Sequence, residues 1–339
     1  MSGLRILSCG PGLSIQDMGR PGYLEQGLSI SGVADQLALH EAGTLLGHPK
    51  PQAVIEMAGI GGAFKAETDM TIALTGAIMK VSINGAQVAW NATYFLPRGA
   101  DLKIGGVQSG VYGYLSFGAG ISTKPFLGSR SIHLRGGIGQ ALQAGELIPL
   151  GRNNANEAGI GLDAEERFSG GVIRIIPSVQ SALFPQREHK RFSETIFIRS
   201  LRGNRMGVAF DFKGDGFAAE GQLSILSEII AVGDIQMTGD GRPFVLLPEC
   251  QTTGGYPRIG TVIPADLPKL AQTAPGKEVS FQMITLPEAL DLQKSFEDDI
   301  KRLSERASPL IRDPSTMNDL LSYQLISGAI SANSTAEET

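Results

Sequence analysis

A polar, glycine-containing loop in the last third of the chain has the residue types best suited to hold a small ligand. It reads Gln251-Thr252-Thr253-Gly254-Gly255-Tyr256-Pro257-Arg258, so an amide, two hydroxyls, two glycines and an arginine fall within eight residues. Arginine makes bidentate contacts to planar anions, and glycines leave backbone N–H groups accessible. The pattern predicts binding of a carboxylate, carbamate or phosphate, although the same residues also favour a hairpin turn.

Three further segments place charged or hydroxyl side chains beside glycines. Residues 14–23 supply an amide, a carboxylate and a guanidinium in Gln16, Asp17 and Arg20. Residues 128–139 add Ser129, Arg130 and Arg135. Residues 31–35 begin with a serine and end with Asp35, which is equally suited to cap a helix that follows. From the residues alone, the chain is expected to bind small polar ligands.

Several common chemistries have no matching motif. The only lysine directly after a glycine, Lys277, is followed by Glu278, so there is no phosphate-binding P-loop. Gly159-Ile160-Gly161 lies in a polar stretch instead of after a strand, which argues against a dinucleotide site. The histidines at 40, 48, 133 and 189 have no metal-ligand spacing, so no metal site is predicted. A Gly-x-Ser-x-Gly nucleophile elbow is also missing.

Charge and composition narrow the function further. With 29 basic against 34 acidic residues there is no positive excess to favour nucleic acid or an anionic membrane as the main partner. No apolar run approaches the roughly 18 residues of a membrane span, and the N-terminus does not have the pattern of a secretory leader. Cys9 and Cys250 are expected to be reduced thiols. The chain is therefore expected in the cytoplasm.

Glycine frequency and local patterns predict a mainly β fold. The 44 glycines among 339 residues are about twice the usual share, and they separate short β-branched runs. Asn84-Gly85 predicts a type I′ hairpin. Helical spacing of apolar residues before Gly47 predicts one helix, and Thr285 with Glu288 predicts a capping box that starts a helix of about five turns.

The same patterns suggest a division of the chain. Residues 1–151 are expected to form an N-terminal β-rich domain and residues 171–285 a second one, joined by a polar linker at 152–170. Residues 286–330 are expected to form an accessory helical segment, and residues 331–339 a disordered tail.

Seven segments, in order, resemble the family called allophanate hydrolase subunit 2, KipA or the biotin-dependent carboxyltransferase A/B domain, over about residues 4–285. They are SIQDMGRPGY, SGVADQLAL, IEMAGIGG, IALTGA, FLGSRSIHLRGGIG, NRMGVAF and QTTGGYPRIGTVIPADLPKLAQ. The resemblance implies two β-rich cyclophilin-like barrel domains, with a few short helices besides the C-terminal one.

The resemblance implies one of three functions. The preferred one is a subunit of an ATP-dependent 5-oxoprolinase, which opens 5-oxo-L-proline to L-glutamate together with subunit-A-like and subunit-B-like (KipI-like) partners. ATP would then bind at a site shared with a partner or carried by it. The first alternative is a carboxyltransferase component of a biotin-dependent urea or amide carboxylase, and only this alternative involves biotin. The second is a KipA-type regulatory protein that antagonises a KipI-like kinase inhibitor.

Opening a lactam requires bases and donors for developing negative charge. Asp17, Asp35 and Arg20 are therefore the predicted catalytic residues, and Glu56 is a further candidate base. The predicted substrate-binding residues are Gln16, Ser129, Arg130, Arg135, Arg205, Gln251, Thr252, Thr253, Gly254, Gly255, Tyr256 and Arg258.

Two segments depart from the family pattern: Pro177-Ser178-Val179-Gln180 stands where the family commonly has Gly-Pro-Gln, and the second segment is Gly203–Val208. Asn204 stands where the family commonly has aspartate, and Val208 stands where it has tyrosine. The chain therefore lacks an acid and a phenol at these positions, which leaves a shifted substrate or weakened activity open.

Overall fold

The fold was analysed in a computed structural model that describes residues 3–152, 158–219 and 225–311. The predicted mainly β class is confirmed: the described strands form one large sheet, one closed barrel and a small two-stranded sheet. The last part of the predicted accessory segment, residues 312–330, and the predicted tail at 331–339 lie outside the described residues.

The large sheet contains eleven strands, mostly from the N-terminal half. They are β1 (Gly3–Cys9), β2 (Ser14–Gln16), β3 (Val54–Ala58), β4 (Gly62–Ala66), β5 (Met70–Ile83), β6 (Ala86–Gln87), β7 (Ala92–Leu96), β8 (Asp101–Phe117), β9 (Leu147–Pro149), β10 (Ile160–Leu162) and β20 (Ala307–Pro309). Their order is β20-β10-β7-β5-β8-β4-β1-β9, with β2 joined through β3 to β8, and β6 joined to β5. The predicted hairpin is present between β5 and β6, where Asn84 and Gly85 have φ of 50° and 84°.

The barrel contains seven strands of the C-terminal half. They are β11 (Gly171–Ile176), β12 (Phe197–Asn204), β13 (Gly207–Asp211), β15 (Asp234–Met237), β16 (Pro243–Leu246), β18 (Arg258–Val262) and β19 (Glu278–Met283). Their order is β11-β18-β15-β16-β13-β12-β19, closed by the parallel pairing of β19 with β11. A separate pair, β14 (Glu228–Ile229) and β17 (Thr253–Gly254), lies outside the barrel ring.

Four α-helices accompany the strands in the described ranges: α1 (Gln36–Leu46), α2 (Gln186–Glu194), α3 (Leu267–Gln272) and α4 (Leu286–Lys301). The side chain of Asp35 caps α1, and Gly47 ends it at a φ of 68°. Thr285 and Glu288 form the predicted capping box of α4. Among the described residues, no helix combines the length and apolar character needed to cross a membrane.

The barrel core continues into the sheet. Inside the barrel, Phe192, Phe197 and Phe281 have ring centroids 5.0–5.3 Å apart. The same buried cluster includes Ala38 of α1 and Tyr114 of β8, which belong to the N-terminal half. Because aromatic burial dominates core energetics, sheet and barrel are held together by a shared apolar core.

The segment at 152–170 also contributes to the large sheet. Its strand β10 lies between β7 and β20, and β20 follows α4 near the end of the described chain. The chain thus pairs with the large sheet both before and after the barrel strands, and this fixes where the barrel contacts the sheet.

Candidate functional site

The sheet and the barrel meet along a surface that we call the seam, formed by α1, β3 and β8 on one side and by α3, β12 and residues 247–250 on the other. Ser31 and Pro248 join the two sides through a backbone hydrogen bond of 2.9 Å. Gln272 of α3 accepts from the backbone N–H groups of Val111 and Tyr112 in β8, at 2.9 and 3.0 Å. Polar side chains at the seam are therefore fixed by contacts from both halves.

Arg167 is fully paired at the seam. Its Nε donates to Asp35 at 2.8 Å, and its two Nη atoms donate to the two carboxylate oxygens of Glu41, each at 2.8 Å. Gln272 donates to the same Asp35 oxygen at 2.9 Å. Burial acts to lower the pKa of Arg167, but the two carboxylates outweigh it and raise this pKa above its usual value. Asp35, a predicted catalytic base, is thus fully buried and committed to α1 and Arg167.

Arg205 forms a second paired group at the seam. It donates to Glu249 at 2.7 Å, to the carbonyl of Gly32 at 2.5 Å and, in a short contact, to Glu56 of β3. Tyr114 donates to the other Glu56 oxygen at 2.9 Å. The pKa of Arg205 is raised because the two carboxylates outweigh the effect of burial.

A cleft of about 620 Å³ opens beside this group, and the predicted binding residues Arg135 and Arg205 both line it. Its lining comes from β8 and the loop after β3 in the sheet, from the loop that carries Leu134 and Arg135, and from β12 in the barrel. Three lining residues are buried and form what we call the floor of the cleft: Tyr112, Arg199 and Glu249. Arg135 is exposed and lies at the rim.

Arg199 on the floor has no partner for its charge. Its backbone is held, since its N–H donates to the carbonyl of Lys277 at 2.9 Å, but its guanidinium makes no hydrogen bond or ion pair with any residue that the structure describes. The Nε atom is completely buried without an acceptor, whereas the Nη atoms keep some exposure and face the cleft. Only 4% of Arg199 is exposed, and this burial lowers its pKa.

Tyr112 lies close enough to Arg199 for their charges to interact. Burial and the charge of Glu56 raise the pKa of Tyr112 to about 12, while Arg205 and Arg199 act in the opposite direction. The phenol is therefore protonated at neutral pH. Its hydroxyl makes no hydrogen bond within the described part of the chain and can donate one to a ligand.

The predicted residues Asp17, Ser129 and Arg130 come together elsewhere, in a tight loop contact. Asp17 accepts from the hydroxyls of Ser129 and Ser131 at 2.6 and 2.5 Å, and from the backbone N–H groups of Gly19 and Arg130 at 2.9 and 2.6 Å. Four donors to one carboxylate hold residues 128–131 against residues 16–20.

Arg20 and Gln16 lie beside that contact. Arg20 donates from Nη2 to the carbonyl of Ser131, but its Nε and Nη1 are buried without a partner, and only 1% of the residue is exposed. Gln16 donates to Ser14 at 3.1 Å while its carbonyl oxygen is unpaired. Arg20 borders a smaller cavity of about 240 Å³, lined mainly by apolar residues and by Cys250, a free thiol.

The Gln251–Arg258 loop is largely occupied by internal contacts. Thr253 and Gly254 form β17, which pairs with β14. Arg258 donates to Asp234 and Glu228, each at 3.0 Å, as well as to Gln180 and the carbonyl of Ile229. In this loop the exposed side chains are those of Gln251, Thr253 and Tyr256, and Thr252 is half-buried.

Sequence reasoning missed three of the residues that define the cleft: Tyr112, Arg199 and Glu249. None of the three lies in a segment that combines glycines with several polar side chains, so no motif marked them. The one available signal was a charged residue, Arg199, directly after the apolar pair Phe197-Ile198 at the start of β12. Of the departures from the family pattern, Asn204 lines the cleft, while Val208 is fully buried in the barrel core.

A second large groove, of about 630 Å³, lies between α2 and the barrel. Its lysine and arginine, Lys190 and Arg187, have side chains 74% and 82% exposed, and apolar residues form most of the wall. Exposed charges are well solvated and bind small anions weakly. The cleft with Arg199 is therefore the stronger candidate. Within the described ranges, no group of three or more His, Cys, Asp or Glu residues has the arrangement that holds a metal ion.

Comparisons with known proteins agree with this two-part fold. Residues 26–283 match the model of a family described as carboxyltransferase domain, subdomain A and B. The chain is similar to the C subunit of 5-oxoprolinase from Haemophilus influenzae, with 32% identity over 297 residues that cover 86% of this chain and 95% of the relative.

Larger proteins contain a similar region. Urea amidolyase of Saccharomyces cerevisiae is 25% identical over 88% of this chain, which spans only 18% of that relative. The crystal structure of Kluyveromyces lactis urea carboxylase superposes with a TM-score of 0.79 at 23% identity, covering 92% of this chain and 31% of that one. At this identity the structural match shows the shared fold.

Proposed function

The chain belongs to the carboxyltransferase domain family, subdomain A and B, and from this premise we propose that it is a subunit of an ATP-dependent 5-oxoprolinase complex that hydrolyses 5-oxo-L-proline to L-glutamate. One observation carries the proposal: the similarity to the 5-oxoprolinase relative extends over 86% of this chain and 95% of that protein. Because this relative is one subunit of its enzyme, partner subunits are implied, and we propose subunit-A-like and subunit-B-like (KipI-like) proteins in these roles.

The reaction breaks the C–N bond of a five-membered lactam and adds water. Amide resonance stabilises this bond, so we propose that ATP activates the carbonyl oxygen by phosphorylation before water attacks, with ADP and phosphate released. The negative charge that develops requires fixed donors in a site with little water. We propose that Arg135 at the rim of the cleft and a partner subunit supply these donors. Arg199 and the Tyr112 hydroxyl have no acceptor among the described residues and are available to hold the substrate.

We propose that ATP binds on a partner or at a site shared with one. The charged residues at the cleft are three arginines (135, 199 and 205) and the two glutamates bound to Arg205, so their sum is +3 − 2 = +1. This charge suits one carboxylate better than a triphosphate, which carries several negative charges.

The predicted site residues have different proposed roles. Arg135 and Arg205 remain proposed substrate-binding residues at the cleft. Asp17 and Asp35 have their carboxylates bonded to loop and helix groups, so we propose that they position the cleft walls. Arg258, which is bonded through all three guanidinium nitrogens, has a similar positioning role.

Reconstitution of the three components tests the proposal. The chain is mixed with its cognate subunit-A-like and subunit-B-like proteins, ATP and 5-oxo-L-proline, and L-glutamate is measured with and without the chain. We expect glutamate only when all three proteins and ATP are present. Equal glutamate formation without this chain, or no glutamate although the three proteins associate, would contradict the proposal.

The family description and the urea amidolyase relative favour one alternative, a carboxyltransferase component that works with separate biotin proteins. Avidin separates the two functions, because it sequesters biotin and leaves lactam hydrolysis unaffected. Activity that disappears when avidin is added would support the alternative.

A further inference from the structure

We infer that Arg199 and Tyr112 together form a carboxylate-binding site on the floor of the cleft. Both side chains line the cleft and are at least nine-tenths buried. Neither the Arg199 guanidinium nor the Tyr112 hydroxyl has a hydrogen-bond partner among the described residues. They are the donors that a bound anion would satisfy.

The donor set suits a planar oxyanion. A guanidinium offers two parallel N–H groups that match the two oxygens of a carboxylate, and such bonds are about twice as strong as neutral ones. A protonated phenol adds a third donor. The one carboxylate on the described floor, that of Glu249, is already bonded to Arg205. Arg199 and Tyr112 are therefore left to bind the carboxylate of a ligand.

The neighbouring residues leave room for the ligand. Gly203, which lies further along β12 than Arg199, also lines the cleft. A Cβ at this position would lie only 2.6 Å from a Val208 methyl group and in ordinary contact with Arg199 Nη2, at 3.6 Å. The close approach of Val208 thus favours glycine at position 203, and this glycine places no side-chain atom between Nη2 and the cleft.

A purely structural role does not account for Arg199. A buried donor without an acceptor costs about 1–3 kcal/mol, and more when the group is charged. Arg167 and Arg205 avoid this cost through carboxylates at the same seam. A bound carboxylate would offset the cost for Arg199.

For the identity of the ligand the inference rests on the proposed function. In 5-oxo-L-proline the carboxylate is attached to the ring carbon next to the lactam nitrogen. Binding it on the floor would direct the lactam toward Arg135 at the rim and toward a partner that closes the cleft. The lactam without a carboxylate, 2-pyrrolidinone, is therefore the matched neutral probe.

Binding to the full chain and to the assembled complex tests the inference. Dissociation constants for 5-oxo-L-proline and 2-pyrrolidinone are measured by calorimetry, with Arg199→Met, Tyr112→Phe and, as a control on the same strand, Arg202→Met. Arg202 pairs with Asp211 and its side chain is 65% exposed. We expect Arg199→Met to weaken 5-oxo-L-proline binding about 10- to 100-fold, Tyr112→Phe about 3- to 10-fold, and Arg202→Met less than about twofold.

A stability measurement separates binding from folding. Because Arg199→Met removes an unpaired buried charge, its melting temperature is expected to equal or exceed that of the wild type. Equal affinity for 2-pyrrolidinone and 5-oxo-L-proline, an Arg199→Met variant that binds as well as the wild type, or no binding to chain or complex would overturn the inference. Binding that follows the expected pattern in a complex that forms no glutamate would overturn the proposed function alone.

Discussion

Two arginines at the same seam, Arg167 and Arg199, show opposite ways to bury a guanidinium. Each is 4% exposed. Arg167 donates three hydrogen bonds of 2.8 Å to Asp35 and Glu41, whereas the guanidinium of Arg199 donates none within the described residues. The difference lies in the neighbours, since burial and charge are the same.

The comparison indicates which charges serve the fold and which are available to a ligand. A buried charge that is paired from both sides holds two elements together, and removing one partner leaves the others uncompensated. A buried charge that faces a cleft without a partner destabilises the free protein and favours ligand binding. Unequal pairing thus distinguishes positioning residues from binding residues more clearly than residue type does.

The largest expected effect is on the paired side. Arg167→Met leaves Asp35 and Glu41 buried without a counter-charge, so we expect a loss of about 3–5 kcal/mol in the free energy of unfolding. Urea denaturation at neutral pH measures it. Arg199→Met, the matched substitution on the unpaired side, is expected to cost nothing. Equal losses in the two variants would show that the comparison between the two arginines is wrong.

Glu249→Gln is expected to lower stability less than Arg167→Met does and, unlike Arg199→Met, to strengthen ligand binding. It removes one of the two carboxylates on Arg205 while keeping an acceptor, so we expect a loss of about 1–3 kcal/mol in stability. It also removes a negative charge from the cleft floor, so 5-oxo-L-proline should bind severalfold more tightly. Calorimetry and urea denaturation measure the two effects.

The exposed Glu297→Gln on α4 is the control for this prediction, because it changes the net charge equally outside the cleft. If both variants change affinity to the same extent, the effect reflects overall charge and gives no support to a role for Glu249.

Much of the fold was predictable because its signals are local. The Asn84-Gly85 hairpin, the end of α1 at Gly47 and the capping box at Thr285 each depend on a few adjacent residues, and all three are confirmed. Strand β10 was not predicted, because three residues in a polar stretch become a strand only through pairing with β7 and β20.

The candidate site was less predictable, since its residues come from distant parts of the chain. Arg135 was found through its glycine-rich segment and Arg205 through a family motif, and both line the cleft. Tyr112 and Arg199 belong to strands of different halves, and nothing in either strand indicates that the other packs beside it. Arg258 is paired with carboxylates and Arg199 is not. This difference depends on where the carboxylates lie in the folded chain, which a sequence motif does not show.

His133 provides the smallest test, because it is an ionisable group that the fold keeps neutral. Its Nδ1 accepts from the N–H of Gly136 at 3.1 Å, which leaves Nε2–H to donate to Ser29 at 2.8 Å, and these bonds hold the loop that carries Arg135. Burial lowers the pKa of His133, with Arg20 and Arg205 acting in the same direction and Glu249 against it.

A pKa that is lower in the folded state than the usual 6.5 means that the unfolded chain binds the proton more tightly. Stability should therefore fall as the pH drops below about 6.5, by at most about 1.4 kcal/mol per pH unit for one group. Urea denaturation between about pH 7.5 and 5.5 should give a shallower pH dependence for His133→Gln than for the wild type. His40→Gln is a second test and should also make the pH dependence shallower, since burial also lowers the pKa of His40. An unchanged slope in His133→Gln would mean that the pKa of His133 is the same in the folded and unfolded chain, which would contradict the prediction.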